Sequence, residues 1–383
     1  MSPFDTSQVV IVGAGLAGVR VAEGLRDRGF DGSLVLIGAE PDLPYDRPPL
    51  SKHVLRGERE PFFLLTPERA AEQGIDLRLD VVAEGVDTGA RQVLTSAGPV
   101  SYDELVIATG AEPRRLPSSP GLVLRTLADS RRLAGLLEPG ARLGIVGAGL
   151  IGCEVAASAR ALGCEVHVVD LLAGPMIRVV GAEVSRRVQD LHESHGVTFH
   201  LGTGVLAATA SSLSLTDGSF LELDVVLEAM GVVPSTAWLG SSLAVSDGVL
   251  CDERGQAASG VWAVGDVARW SDGSGGTVRH EHWTSASEQG EAVAAAIVGA
   301  PPPPKGPPYW WSDQYDLKLA GLGSTSDVVQ LVETGPRQRT VAVYSQDDRV
   351  TGVVGFSAGA AVMKLRDAVA SQVPVADVLA ALT

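Results

Sequence analysis

The 383-residue sequence is too long for one ordinary domain, and its length predicts two or three folding units. Hydrophobic residues make up 45% and charged residues 20%, which is the balance of a globular protein with a large core, and the 45 glycines indicate many tight turns. The formal net charge of -16 argues against general nucleic-acid binding, because neutralising phosphates requires a basic surface.

The N-terminal residues and the cysteines exclude other classes of protein. The sequence MSPFDTSQ has neither a basic nor an apolar signal region, and no apolar run approaches the roughly 18 residues that span a bilayer. Cys153, Cys164 and Cys251 form no CxxC pair and no His/Cys cluster, so neither a disulfide framework nor a metal site is predicted. We therefore expect a cytoplasmic protein that binds no membrane.

The chain opens with a predicted strand–helix–strand unit. The β-branched run Val9–Val12 predicts a buried parallel strand, a helix is predicted over 16–28, and Leu34–Ile37 predicts the second strand. The pattern then recurs as an internal repeat. Its second copy is predicted as a strand over 143–146, a helix over 150–162 and a strand over 166–169.

A glycine motif joins the first strand to its helix. Gly13 permits the tight turn, Gly15 lets the backbone approach a pyrophosphate, and Gly18 lets the helix pack closely on the strand. Glu40, which we expect to end the second strand, can accept hydrogen bonds from ribose hydroxyls. The alternative is a glycine-rich turn without a ligand. The predicted dinucleotide-binding residues are Gly13, Ala14, Gly15, Ala17, Gly18 and Glu40.

The second copy of the unit carries the same motif. Asp170 closes its strand, and an acidic residue there favours NADH because it repels the 2′-phosphate of NADPH. Nearby Arg178 keeps NADPH open as the second choice, and an ordinary turn residue is the alternative for Asp170. Two dinucleotides suggest hydride transfer between a nicotinamide and a flavin. The predicted residues are Gly147, Gly149, Leu150, Ile151, Gly152, Asp170, Arg178 and Gly231.

The rest of the chain supplies two further strands and a third domain. An apolar strand over 105–110 precedes a crossover over 112–120, and a strand over 261–266 precedes a helix over 285–298. Prolines at 301–304 and 307–308 predict a stiff linker and a boundary near 305, because proline cannot continue a helix. Short apolar runs over 341–344 and 350–356, followed by a terminal helix, predict a small α+β domain.

Together these motifs resemble the FAD-dependent pyridine-nucleotide reductases, and within them the ferredoxin and rubredoxin reductases that serve bacterial oxygenases. The resemblance covers essentially the whole chain. Its most specific segments are YDRPPLSK at 45–52, ATG at 108–110, VGD at 264–266, EHW at 281–283 and WSDQYDLKL at 311–319.

The resemblance implies an α/β fold of the glutathione-reductase type. It contains two Rossmann-like dinucleotide-binding domains and a small C-terminal α+β domain. We expect an FAD-binding domain over 1–112 and 245–305, an NAD(H)-binding domain over 113–244, and a partner-docking domain over 306–383.

The resemblance also implies catalytic roles for Lys52, Glu154 and Trp311. Lys52 lies close to the reactive edge of the flavin, where an ion pair with Glu154 keeps the lysine charged. Trp311 lies near the flavin on the side where the partner docks. The alternatives are a solvated lysine, an exposed helix residue and a core aromatic, respectively.

Other positions match residues that contact the flavin cofactor. Asp266 matches the aspartate that binds the ribityl chain, while Val82 and Arg125 match positions at the adenosine and flavin portions. A core strand is the alternative for Val82, and a surface position for Arg125. Trp283 and Thr284 precede a helix start predicted at Ser285, whose dipole would stabilise negative charge on the flavin. The implied residues are Arg47, Lys52, Val82, Thr109, Gly110, Arg125, Gly265, Asp266, Trp283 and Thr284.

One departure from the wider family redirects the expected chemistry. Relatives that reduce disulfides carry a redox cysteine early in the first domain, whereas this chain has none before Cys153. Cys153 stands at a helix start that could lower its pKa, but we interpret it as a packing residue. Disulfide reduction is therefore disfavoured.

The expected reaction is hydride transfer from NADH to FAD, followed by single-electron transfer to a small iron–sulfur protein. A ferredoxin is the first choice of acceptor and a rubredoxin the second, with a monomer or a homodimer open. Alternatives are a diaphorase that reduces quinones or oxygen, and an interaction flavoprotein resembling apoptosis-inducing factor. Candidate cations for docking an acidic ferredoxin are Lys305, Lys318, Arg337, Arg339, Lys364 and Arg366.

Overall fold

The computed structural model describes residues 7–117, 119–325, 328–334 and 339–382. The chain divides into two compact units. The first unit comprises Met1–Asp46, Phe62–Glu112 and Val233–Lys305. The second comprises Arg47–Pro61, Pro113–Val232 and Gly306–Thr383.

Helices and strands alternate along much of the chain. The helices are α1 (Leu16–Asp27), α2 (Pro67–Glu72), α3 (Leu127–Ala134), α4 (Leu150–Ala161), α5 (Ile177–Ser194), α6 (Trp283–Ile297), α7 (Gly359–Lys364), α8 (Arg366–Ala370) and α9 (Val375–Leu382). The first strands are β1 (Gln8–Val12), β2 (Ser33–Ile37), β3 (Ile75–Arg78), β4 (Ala83–Asp87), β5 (Gln92–Thr95), β6 (Gly98–Ser101), β7 (Glu104–Ile107) and β8 (Ala111–Pro113).

The remaining strands follow in chain order. Those before residue 240 are β9 (Arg142–Val146), β10 (Glu165–Asp170), β11 (Val197–Leu201), β12 (Val205–Ala208), β13 (Ser212–Leu215), β14 (Phe220–Glu222), β15 (Val225–Glu228) and β16 (Val232–Pro234). Those after it are β17 (Val249–Cys251), β18 (Gln256–Ala258), β19 (Val261–Ala263), β20 (Ala268–Ser271), β21 (Thr277–Val278), β22 (Tyr309–Gln314), β23 (Leu317–Gly323), β24 (Val328–Thr334), β25 (Arg339–Gln346) and β26 (Arg349–Phe356).

The first unit is built on a six-stranded sheet in the order β18-β19-β7-β1-β2-β3. Its inner strands are parallel, with Val9 opposite both Leu34 and Glu104. β1 is buried along almost its whole length, as expected for a β-branched strand covered on both faces. Because the strands run in one direction, the turns that follow β1, β7 and β19 meet at one edge of this sheet.

The second unit repeats this arrangement around the parallel sheet β11-β10-β9-β15. β9 pairs with β10 and β15, and α4 follows β9 as α1 follows β1. The same unit contains the antiparallel sheet β22-β23-β26-β25-β24, one face of which packs with α7, α8 and α9. The internal repeat and the small α+β region predicted from the sequence are both present.

Side chains on β22 alternate between the two faces of that strand. Trp310, Ser312 and Gln314 are buried, whereas Tyr309 and Trp311 are partly exposed. This period of two is the normal geometry of a strand. One face of the WSDQ segment therefore points into the second unit.

Several predicted boundaries were wrong, among them the end of the strand predicted over 105–110, which closes at Ile107. α6 begins at Trp283 rather than Ser285, because the amide of Ala286 already donates to the carbonyl of His282 (3.0 Å). β2 ends at Ile37, so Glu40 lies in the bend that follows it rather than at the strand end. The strand predicted over 261–266 ends at Ala263, where the chain turns into a short 3-10 helix.

The C-terminal helix predicted from the sequence is divided into three short helices, α7, α8 and α9. In the parts of the chain that the structure describes, no helix combines the length and the apolar character required to cross a membrane.

Candidate functional site

In the first glycine loop, two glycines are tightly packed against backbone and a third faces open space. Gly13 has φ +114°, and a Cβ there would lie 2.1 Å from the carbonyl oxygen of Ala108. A Cβ on Gly18 would lie 2.0 Å from the carbonyl oxygen of Gly13. A Cβ on Gly15, by contrast, would meet no atom of the described residues within 4 Å. The fold therefore requires glycine at 13 and 18, whereas the open space at Gly15 suits a ligand that approaches the backbone.

The second glycine loop reproduces this geometry. Gly147 has φ +110°, and its Cβ would lie 2.3 Å from the carbonyl oxygen of Ala229. A Cβ on Gly152 would lie 2.0 Å from the carbonyl oxygen of Gly147. At Gly149, no atom in the described part of the chain lies within 4 Å of the Cβ position. Gly15 and Gly149 also cap α1 and α4 without a side-chain hydrogen bond. Both helix N-termini therefore present backbone N–H groups to an anion.

The two acidic residues near these loops are already hydrogen-bonded. The Tyr45 hydroxyl donates to Glu40 Oε2 (2.5 Å). Asp170 is the last residue of β10, and its carboxylate accepts the amides of Ala148 (2.7 Å) and Leu172 (2.8 Å). A carboxylate has about four acceptor sites, so both side chains retain capacity for ribose hydroxyls.

The remaining predicted residues around the second loop lie on the surface or in a turn. Leu150 and Ile151 open α4, with Ile151 exposed. Arg178 is exposed in the first turn of α5. Gly231 has φ +88°, and its carbonyl accepts the amide of Arg114 (2.9 Å).

Thr109 and Gly110 follow β7 in the first unit. The Thr109 hydroxyl donates to the carbonyl of Ser235 (2.9 Å), and the amide of Ser235 donates to the carbonyl of Gly110 (3.0 Å). These bonds hold the turn at the carboxyl end of the parallel strand, the edge at which open α/β sheets bind ligands.

Gly265 and Asp266 follow β19 at the same edge. The amide of Gly265 donates to Gln289 Oε1 on α6 (2.7 Å), which fixes the start of the 3-10 helix Gly265–Val267. Asp266 is partly buried, and its carbonyl accepts from Arg279 (3.2 Å).

Trp283 and Thr284 lie in the first turn of α6. The Trp283 indole donates to Asp46 Oδ1 (2.7 Å), which fixes the ring at the helix N-terminus. Val82 is 47% exposed and lies between β3 and β4, so the core-strand alternative for this residue is wrong. Its amide donates to Ser96 Oγ (3.0 Å).

In the second unit, Lys52 and Glu154 form an ion pair with Nζ 2.8 Å from Oε2. Lys52 is 5% exposed and Glu154 is 3% exposed, so the alternatives of a solvated lysine and an exposed helix residue are both wrong. Burying two charges is costly unless they are paired and hydrogen-bonded. Lys52 also donates to the carbonyl of Pro48 (3.2 Å).

Hydroxyl groups not anticipated from the sequence complete this cluster. Ser51 Oγ donates to Glu154 Oε2 (2.5 Å), and Ser312 Oγ donates to Glu154 Oε1 (2.7 Å). One turn along α4, Ser158 donates to the carbonyl of Ser51 (2.7 Å). Ser51 and Ser312 both stand inside the most specific motif segments, which was the available signal for them.

Arg47 and Arg125 are brought together. Arg47 Nη1 donates to the carbonyl of Arg125 (2.6 Å), and both side chains are partly buried. On β22, Trp311 stacks on Tyr309 with ring centroids 6.0 Å apart, while its neighbour Trp310 fills the core.

The cysteines are poorly suited to chemistry. Cys153, Cys164 and Cys251 are free and buried. Burial raises the pKa of the Cys153 thiol, and the neighbouring Glu154 charge raises it further. The interpretation of Cys153 as a packing residue is therefore consistent with its surroundings. Among the described residues, no group of three or more His, Cys, Asp or Glu side chains could hold a metal ion.

The candidate docking cations differ in exposure. Lys305, Lys318 and Lys364 are exposed, whereas Arg339 and Arg366 are partly buried. Arg337 lies outside the described residues.

Comparisons with known proteins agree along the chain. Residues 7–290 match the family described as pyridine nucleotide-disulphide oxidoreductase, and residues 309–381 match the Reductase C-terminal family. The ferredoxin--NAD(+) reductase component of the p-cumate 2,3-dioxygenase system of Pseudomonas putida is 37% identical, with 90% of this chain and 88% of the relative covered. Putidaredoxin reductase CamA of Pseudomonas putida is 35% identical, with 90% and 87% covered.

Solved structures give the same result. The covalent putidaredoxin reductase–putidaredoxin complex contains a chain that matches with a TM-score of 0.91 and 31% identity, covering 98% of this chain and 99% of that chain. A ferredoxin reductase for the CYP199A2 system from Rhodopseudomonas palustris matches with a TM-score of 0.89 and 32% identity, covering 96% of each chain.

Proposed function

Because the chain belongs to the pyridine nucleotide-disulphide oxidoreductase family, we propose that it is an NADH-dependent ferredoxin reductase that feeds an oxygenase. Family membership confirms the resemblance predicted from the motifs, and with it the α/β fold of two dinucleotide-binding domains and a small C-terminal domain. The chain is therefore an oxidoreductase. Its relatives include proteins named as ferredoxin--NAD(+) reductase components of dioxygenase systems.

The observation that best supports two dinucleotide sites is the open space beside Gly15 and Gly149. Among the residues that the structure describes, none has an atom near the Cβ position of either glycine, although both stand in tightly packed loops. Each loop also leads into a helix N-terminus without a side-chain cap, where a pyrophosphate would be stabilised. The residues present therefore fit FAD at the first loop and NADH at the second.

The chain's own residues would bind and orient these groups rather than react with them. FAD, when bound, supplies hydride acceptance from NADH and the release of electrons one at a time. Glu40 and Asp170 would accept hydrogen bonds from ribose hydroxyls, and the N-terminus of α6 would stabilise negative charge. Glu154 Oε2 lies 2.8 Å from Lys52 Nζ and would orient the lysine.

We propose the cofactor contacts and domains in the form implied by the resemblance. The FAD-binding domain would comprise 1–112 and 245–305, the NAD(H)-binding domain 113–244, and the partner-docking domain 306–383. Trp311 would lie near the acceptor, and the acceptor would be a ferredoxin. Contacts to FAD are proposed for Arg47, Lys52, Val82, Thr109, Gly110, Arg125, Gly265, Asp266, Trp283 and Thr284.

The experiment is an anaerobic titration followed by a comparison of acceptors. NADH should bleach the flavin absorbance at one equivalent, and the reduced protein should transfer electrons to a ferredoxin faster than to a quinone or to oxygen. A flavin that NADH does not bleach would contradict the proposal. Faster turnover with quinone or oxygen than with any ferredoxin would instead indicate a diaphorase.

A further inference from the structure

A continuous chain of buried hydrogen bonds leads away from the Lys52–Glu154 pair inside the second unit. Ser312 donates to Glu154 Oε1 (2.7 Å), and Gln314 Nε2 donates to Ser312 Oγ (3.1 Å). The oxygen of the Gln314 amide lies 2.9 Å from His192 Nε2. Ser312, Gln314 and His192 are all 0% exposed. Three strictly buried polar side chains are thus arranged in a row that ends on one carboxylate oxygen.

The row of hydrogen bonds reaches the protein surface at its other end. The Tyr315 hydroxyl lies 3.1 Å from His192 Nδ1, and the exposed ring of His195 stacks on Tyr315 with centroids 3.8 Å apart. Burial lowers the pKa of His192 to about 4, so the ring is neutral near pH 7.

The directions of these bonds are mutually consistent. A neutral His192 donates from Nε2 to Gln314 and accepts from Tyr315 at Nδ1, which assigns the Nε2–H tautomer. The Gln314 amide then donates to Ser312, whose single hydroxyl proton is left for Glu154. The donors of the row therefore all point toward the Glu154 carboxylate.

The two carboxylate oxygens of Glu154 have different duties. Oε2 accepts from Lys52 Nζ (2.8 Å) and from Ser51 Oγ (2.5 Å), whereas Oε1 accepts from Ser312. Fixing Oε1 fixes the plane of the carboxylate and therefore the position of Oε2. The alternation of β22 places Ser312 and Gln314 on the same buried face for this purpose.

We propose that Ser312, Gln314 and His192 are positioning residues that hold Glu154 in the orientation required to fix Lys52. Ser312 orients Glu154 directly, Gln314 orients the Ser312 hydroxyl, and His192 orients the Gln314 amide. The consequence for hydride transfer rests on the proposed function, because it requires Lys52 to act beside the flavin. The consequence for the segment around Lys52, residues 50–58, does not rest on the proposed function.

The test compares Ser312→Ala with a matched control, Ser185→Ala. Ser185 is also a buried serine of the second unit, but its hydroxyl donates to the carbonyl of Pro175 (2.7 Å). Hydrogen exchange is measured on the purified full-length protein for a peptide covering residues 50–58. There the amides of Lys52 and Val54 both donate to the carbonyl of Pro49.

We expect Ser312→Ala to accelerate exchange in that peptide by about tenfold, the effect of losing one hydrogen bond to a charged group. Ser185→Ala should leave the peptide unchanged, and Ser312→Thr, which retains the hydroxyl, should restore slow exchange. Gln314→Leu should give an intermediate acceleration, because Ser312 remains but loses its orienting donor.

Single-turnover reduction supplies the second measurement. With NADH, Ser312→Ala should slow flavin bleaching about tenfold, while the Kd for NADH stays within about twofold of wild type. Such a division between rate and affinity indicates orientation rather than loss of the binding site.

The outcomes separate this inference from the proposed function. Equal exchange at 50–58 in Ser312→Ala and Ser185→Ala would overturn the positioning role, as would acceleration spread evenly over all peptides. If NADH fails to reduce even the wild-type protein, the proposed function fails, and the exchange result still decides the positioning role.

Discussion

At the scale of single residues, the buried pair Lys52–Glu154 places two charged side chains inside the second unit. Two charges removed from water are tolerated only when each keeps its partner and its hydrogen bonds. Glu154 has three side-chain donors, Lys52, Ser51 and Ser312. Through this carboxylate, α4 is linked by hydrogen bonds to residues 51 and 52 and to β22.

Glu154→Gln should destabilise the protein, because it keeps the shape of the side chain but leaves the Lys52 charge unpaired. We expect a loss of about 3 kcal/mol in the free energy of unfolding, as for other broken buried pairs. Urea unfolding measures this loss. The matched control is Glu222→Gln, which removes a surface partner of Arg142 and should have little effect. Equal losses in the two variants would contradict the assignment of a buried pair.

The thiols give a second prediction at this scale. All three cysteines are buried, and burial raises the pKa of each, to about 12 for Cys251. Since the thiolate is the reactive form, we expect no rapid reaction with Ellman's reagent at pH 8 in the folded protein. Unfolding in guanidinium should release all three thiols. A thiol that reacts within seconds in the folded protein would indicate redox chemistry at a cysteine.

At the scale of elements, the two glycine loops combine positions fixed by packing with positions left open. Gly13 and Gly147 cannot gain a Cβ without meeting backbone within 2.3 Å. Gly15 and Gly149 can gain a Cβ without such a contact. The same substitution therefore has different consequences two residues apart.

Gly149→Ala should weaken NADH binding while the protein remains folded and yellow, because the new methyl group points into space that only a ligand would use. We expect at least about a tenfold increase in the Kd for NADH, equivalent to about 1.4 kcal/mol. Gly15→Ala should instead reduce the FAD content of the purified protein. Gly147→Ala is the contrasting variant and should lower the unfolding temperature. If Gly149→Ala leaves NADH affinity unchanged, the second loop is not the NADH site.

These loops could be predicted from the sequence because their information is local. The turn after β1, the helix start and the acidic residue all lie within one strand–helix–strand unit, and so does the order of Gly13, Gly15 and Gly18. The start of α6 was harder to predict from the sequence. A helix without a side-chain cap leaves no clear N-terminal signal, and the first turn at Trp283 is fixed by tertiary contacts such as the bond to Asp46.

At the scale of the whole molecule, the row of hydrogen bonds that ends on Glu154 joins residues that are far apart in the sequence, so local sequence patterns do not predict it. Ser51 lies 103 residues from Glu154, Ser312 lies 158 residues from it, and His192 lies 122 residues from Gln314. The resemblance predicted the Lys52–Glu154 pair, but nothing in the sequence links His192 to β22. Only the packing of α4, α5 and β22 in one unit brings these side chains together.

The buried His192 should make the whole protein sensitive to mild acid. Its pKa is lowered by burial to about 4 in the folded state, against 6.5 in an unfolded chain. The unfolded chain therefore binds the extra proton between these values, so stability is complete above pH 6.5 and is lost as the pH falls toward 4. Over that range the histidine accounts for up to about 3 kcal/mol.

Comparing urea unfolding at pH 7 and pH 4.5 in wild type and His192→Gln isolates this contribution. Glutamine can still donate to Gln314 but does not titrate, so the variant should lose less stability between the two pH values. A smaller loss should remain, because burial also lowers the pKa of His200, His280 and His282. Identical losses in wild type and variant would mean that the pKa of His192 is not lowered in the folded protein. The donor direction assigned to the row would then hold only above that pKa, because a charged His192 cannot accept from Tyr315.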